Sequence, residues 1–104
     1  MAMVNTLTLS DVAPYGVTSL NFGGCRNGSP IHPGRPGAMR RSAHAHCVKR
    51  FETPAMLGAI CFKAERIENV RVTIFWHEVG HVWRPSWTET QCNAFGRKMA
   101  RQSR

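Results

Sequence analysis

Apolar and polar positions alternate in short runs over the first quarter of the chain. Residues 4–9 (VNTLTL) and 17–22 (VTSLNF) are short, β-branched and partly alternating, which predicts two strands. Asp11, Pro14 and Gly16 between them suit a turn. From Gly23 to Arg41 the pattern dissolves: 19 residues hold five glycines, three prolines and four arginines. Neither a helix nor a central strand tolerates that density of breakers, so 23–41 reads as a mobile loop or arm. Order returns at Ser42. The run SAHAHCV alternates, and a strand there would point His44 and His46 to one face. The run LGAICF, with Pro54 before it and Lys63 after it, predicts a buried strand over Leu57–Phe62. It offers an edge on which an extended peptide could pair.

The last third switches to a helical period. Asn69 is placed to cap a helix through VRVTIFWHEVGHVW, and Pro85 ends it by removing a backbone donor and disfavouring helix just before itself. A second helix is predicted from about Ser86 to near the C-terminus. Together these elements predict an α+β fold in a single domain, 1–104. A small, mainly antiparallel sheet would pack on one buried helix, followed by a C-terminal helix.

Length and charge narrow the function. A chain of 104 residues holds one modest core, which excludes a two-lobed enzyme with its site between domains. The longest apolar run, Pro54–Phe62, is far short of the ~20 residues a membrane span needs. There is no basic start followed by an apolar run, so a cytoplasmic location is expected. Cys25, Cys47, Cys61 and Cys92 include no CxxC pair and read as free thiols or core residues. The formal net charge is +8. Arg97, Lys98, Arg101 and Arg104 crowd the C-terminal helix, and Arg26, Arg35, Arg40, Arg41, Lys49 and Arg50 crowd the arm and the strand after it. Such charge draws phosphates, which makes Arg97, Lys98 and Arg101 candidates for nucleic-acid contact. Basic residues also suit a helix C-terminus without any partner.

The chemistry concentrates at His77-Glu78-Val79-Gly80-His81, an HExxH. Residues four apart share a helix face, so both imidazoles can reach one metal ion. Glu78 sits about 100° round from His77, beside the ligands, where a general base for water belongs. Val72, Ile74, Phe75, Trp76, Val79, Val82 and Trp83 make this helix apolar nearly all round, and a buried His-Glu-His trio needs partners that a metal supplies. Gly80 weakens a helix, so close packing is expected there, for instance on a strand beneath.

A catalytic zinc takes three protein ligands and leaves one position open. No histidine follows His81, and the only acidic residue downstream is Glu89. Glu89 would share a face with Cys92, Asn93, Gly96 and Met99. Two capping boxes compete for it. Ser86-Trp87-Thr88-Glu89 would occupy Glu89 as a cap partner, whereas Thr88-Glu89-Thr90-Gln91 would leave it free for metal. One of His44 and His46, or Cys47, could complete the zinc site instead, or a histidine could donate to the oxyanion formed when water attacks a carbonyl. Tyr15 is the only tyrosine, and His32 falls in the arm.

The run TIFWHEVGHVWRPSWTETQCNAFGRKM resembles the ImmA/IrrE type of zinc metallopeptidase, a gluzincin group. There an HExxH helix precedes a helix reading roughly E-x-E-A-N-x-F-A. Glu89, Gln91, Cys92, Asn93, Phe95 and Gly96 follow that order, with Gln91 at the second acidic position and Cys92 in place of alanine. The resemblance covers about 30 residues and implies zinc on His77, His81 and Glu89, one ion per chain, with Glu78 as base. It also implies a cytosolic protein substrate. SAHAHC and GAICF look like the strands before the helix in small phage-encoded HExxH proteins. The expected function is zinc-dependent peptide-bond hydrolysis on a protein or peptide substrate. The alternative is a non-enzymatic basic module with a structural zinc, binding nucleic acid or a protein.

Overall fold

The computed structural model describes residues 7–24, 42–47 and 57–102. They form an α+β fold. Three strands, β1 (Ser19–Phe22), β2 (Ala43–Ala45) and β3 (Ala59–Phe62), make one sheet; three helices, α1 (Leu9–Val12), α2 (Val72–Trp83) and α3 (Glu89–Gln102), complete the described elements with two 3-10 turns. The arm residues 25–41, including His32, lie outside the described residues, as do Lys49 and Arg50.

The sheet is mixed, in the order β1-β3-β2: β1 runs parallel to β3 and β2 antiparallel to it. β3 is therefore the centre and not an exposed edge. Its sequence carries the reason. AICF is apolar at every position and buried at every position, as a strand covered on both faces must be. The edges among the described residues are β1 and β2.

Alternation sorts the side chains. Leu20, Phe22, Ala43, Ala45, Ile60 and Phe62 belong to the core together with Phe75, Trp76 and Val79 of α2 and Phe95 of α3. Phe62 stacks on Phe22 at 5.2 Å and on Phe75 at 5.8 Å between centroids. The remaining positions point the other way. Asn21, Cys61 and His44 stand side by side in register across the three strands, and adjacent residues in register share a face. His46 extends the row, since its N–H donates to the Ala59 carbonyl at 2.8 Å and its carbonyl accepts from Gly58 N–H at 2.9 Å.

Two local expectations differ from the structure. Of the strand predicted at 4–9, residues 4–6 lie outside the described residues, Leu7 and Thr8 are in no strand, and Leu9 begins α1, because Thr8 and Asp11 form a capping box. The Thr8 N–H donates to Asp11 Oδ2 at 2.7 Å, and this polar closure outweighs the apolar alternation. Asn69 does not cap α2. It closes the 3-10 turn Ile67–Asn69, and α2 begins after an extended Arg71. α2 does end before Pro85, with Arg84 N–H donating to the Gly80 carbonyl at 2.8 Å.

Candidate metal centre

α2 presents His77 and His81 one turn apart, with their Nε2 atoms 3.1 Å from each other. Thr88 starts α3. Its N–H donates to Gln91 Oε1 at 2.8 Å, and the Gln91 N–H donates to Thr88 Oγ1 at 3.2 Å. Of the two capping boxes, the structure forms the one that spares Glu89. That carboxylate turns back to α2, with Oε1 at 3.5 Å from His77 Nε2 and Oε2 against His81 Nε2.

The far ring nitrogens are also engaged. His77 Nδ1–H donates to Asn93 Oδ1 at 2.7 Å, and His81 Nδ1 lies 3.5 Å from Cys92 Sγ. A proton held on Nδ1 leaves the Nε2 lone pair free, so these contacts aim both imidazoles at one point. Tetrahedral zinc with Zn–N near 2.0–2.1 Å needs its nitrogens about 3.3 Å apart. The observed 3.1 Å is within a few tenths of that. His77, His81 and Glu89 thus form a group that could hold a metal ion. The contacts of Asn93 and Cys92 with the two imidazoles are what ligand spacing alone misses. Their positions four and three residues after Glu89 were the available signal, since all three share one face of α3.

The centre has a wet side and a dry side. His81 is 1% exposed, while the Glu89 side chain is 55% exposed. On the wet side lies a groove of about 600 Å³, bordered by His77, Glu78, Glu89, Asn93 and Arg97 from the helices and by Ser42 and Ala43 from the start of β2. Glu78 is buried yet borders this groove, beside the ligands as its position after His77 requires. Close packing at Gly80 comes from α3 and not from a strand. A Cβ there would meet Phe95 Cδ2 at 3.1 Å and Cys92 Sγ at 3.4 Å.

Other sequence candidates fall elsewhere. His44 and His46 do not complete this centre. They share the opposite sheet face with Cys61, because Ala43 and Ala45 take the positions that face α2. Cys47 is buried and joins neither group of prospective ligands. Tyr15 packs edge-on against Trp76 at 5.6 Å and Trp83 at 5.2 Å, an aromatic anchor of the core. Arg97, Lys98 and Arg101 are exposed on α3, with Arg97 at the groove. No helix among the described residues is long and apolar enough to cross a membrane. Comparison with known proteins finds no matching family model, no matching curated protein and no matching solved structure.

Asn93→Ala is expected to weaken metal binding about 10- to 100-fold with little change in fold, because it releases His77 Nδ1 and not a ligand. Competition of wild type and variant against a zinc chelator of known affinity checks this; equal affinities would leave Asn93 without an orienting role.

Proposed function

We propose that this chain is a minimal zinc-dependent peptidase, resembling the ImmA/IrrE type, with His77, His81 and Glu89 as ligands and Glu78 as general base. One observation carries the reading: three donor atoms from two helices converge beside a buried glutamate at the margin of an open groove. Zinc has the fitting chemistry, since two imidazoles and a carboxylate make a known catalytic set. When bound, it would polarise a carbonyl and lower the pKa of a water. The chain's own residues do the rest. Glu78 takes the proton from the attacking water and passes it to the departing amine. Asn93 and Cys92 hold the rings of His77 and His81.

The substrate would be an extended peptide. Among the described residues β2 is a sheet edge, and Ala43 at its start borders the groove with Ser42 before it. A peptide added alongside it would gain main-chain hydrogen bonds while its scissile carbonyl reached the ligands. The exposed guanidinium of Arg97 lies on the same groove and would favour acidic or C-terminal groups nearby.

The test compares wild type with Glu89→Ala for metal content and for cleavage of an unstructured protein such as casein. The expected result is loss of one metal equivalent and of cleavage together. Metal retained in full by the variant would return Glu89 to a surface role. Metal bound at this centre without cleavage of any peptide tried would favour the basic module, whose support is the exposed Arg97, Lys98 and Arg101.

A further inference from the structure

We infer that the protein carries a second metal site, on the sheet face turned away from α2, made by His44, His46 and Cys61. It uses none of the residues of the centre above and does not depend on the peptidase reading. It raises the expected metal content from one ion per chain to two.

The sequence places these residues by strand geometry. His44 and His46 are two apart in an extended segment and so project to the same side. Cys61 is the register partner of His44 on β3. The result is convergence of the three reactive atoms. His44 Nε2 lies 3.1 Å from His46 Nε2, which lies 3.4 Å from Cys61 Sγ. All three atoms fall within 4.8 Å of one another. Around tetrahedral zinc, with Zn–N near 2.0–2.1 Å and Zn–S near 2.3 Å, nitrogens stand about 3.3 Å apart and nitrogen and sulfur about 3.6 Å. The two shorter distances match a ligand shell to within a few tenths of an ångström before any ion is added.

Burial points the same way. His44 is 6% exposed, His46 0% and Cys61 0%. Three polar side chains withdrawn from water are costly unless strongly engaged. A cation bound by all three would repay that cost. The donor set names its class. A thiolate with two imidazoles selects a borderline-soft ion such as zinc over magnesium or calcium, which want oxygen. The enclosed position, on the face away from the groove, fits an ion that holds strands together. Its effect would be to clamp edge strand β2 to central strand β3. A three-residue strand gains little from its own ladder, and a chain this small has few other sources of stability. The clamp also bears on the groove, because Ala43 of β2 and Ser42 just before it lie at its border.

Sulfur separates this site from the first, whose ligands are nitrogen and oxygen only. Metal-free full-length protein is titrated with cobalt(II) and followed in the near ultraviolet, where thiolate-to-cobalt charge transfer absorbs. The expected result is two equivalents bound, with the thiolate band complete after one of them. A His77→Ala/His81→Ala variant should lose one equivalent and keep the band. Cys61→Ser should lose the band and one equivalent, while Cys92→Ser and Cys47→Ser keep the band. Should Cys61→Ser not fold, X-ray absorption at the zinc edge on the His77→Ala/His81→Ala protein decides, with sulfur expected at about 2.3 Å. A wild type that binds cobalt without a thiolate band, or a zinc spectrum without sulfur, would overturn the inference and leave a hydrogen-bonded trio. Band present and catalytic equivalent absent would sink the peptidase and leave this site standing.

Discussion

Glu78→Gln is expected to leave metal content unchanged and to cut peptide cleavage by about 10²- to 10⁴-fold, the usual worth of a positioned acid–base group. Glutamine has the same shape, so the buried position beside His77 stays filled. It cannot accept a proton from water or return one to the leaving amine. Because Glu78 is not a ligand in the converging set, His77, His81 and Glu89 keep their arrangement. The loss should therefore fall on kcat, with KM nearly constant, because an interaction made only in the transition state is removed. Steady-state cleavage of a fluorogenic peptide at saturating zinc, with metal counted on the same samples, reads both quantities. Wild-type turnover in this variant would end the assignment of Glu78 as base. Loss of metal along with turnover would make it a ligand or a support for one.

The centre on α2 and α3 was legible in the sequence to the extent that its geometry is local. HExxH needs only the pitch of one helix to bring two imidazoles together, and 3.1 Å between the Nε2 atoms follows from that pitch. Glu89 was ambiguous because two overlapping capping boxes gave it opposite roles. The choice of Thr88 over Ser86 depends on how the turn after Pro85 enters α3, which no single window of sequence encodes. The Trp87 N–H donates to the Arg84 carbonyl at 2.9 Å in that turn. Non-local pairing hid the rest. The shared face of His44 and His46 could be read from a period of two, but their neighbour Cys61 lies 15 residues beyond His46. Only the register of β2 on β3 brings them together. The same register turns both histidines away from α2 and groups them with Cys61, apart from the first centre, for which the sequence leaves them an alternative to Glu89. The strand expected over Leu57–Phe62 forms over Ala59–Phe62, after a turn at Leu57 and Gly58, and it is the central strand and not an edge, as its unbroken apolar run fits.

Gly96→Ala is expected to destabilise the protein and loosen the first metal centre together, whereas Gly80→Ala should do little. Both glycines lie where α2 meets α3, but their surroundings differ in kind. A Cβ on Gly96 would stand 2.5 Å from the Thr73 carbonyl oxygen and 3.2 Å from the His77 nitrogen, both backbone atoms that move only if the helices separate. A Cβ on Gly80 would meet the side chains of Phe95 and Cys92 at 3.1 and 3.4 Å, which can adjust by tenths of an ångström. Overpacking against a rigid neighbour costs about 1–3 kcal/mol or more, and alanine returns about 0.8–1 kcal/mol of helix propensity at either position. With a backbone oxygen at 2.5 Å the overpacking lies at the upper end of that range, so the net loss at Gly96 is about 2 kcal/mol, a fall in Tm of roughly 8–16 °C for a domain of this size. Gly80→Ala should come out near zero. The link to function is geometric. His77 and His81 ride on α2 and Glu89 on α3, so a wedge at Gly96 pulls the carboxylate from the imidazoles. Zinc affinity of the first centre should drop with Tm for Gly96→Ala, while the thiolate-bearing site, anchored in the sheet, keeps its ion. Thermal melts and cobalt titrations of the two variants side by side measure this. A Gly96→Ala protein as stable as wild type would show that α2 and α3 can part without cost. One that is destabilised yet binds zinc normally would show that Glu89 is not held to its ligands by helix contact at Gly96.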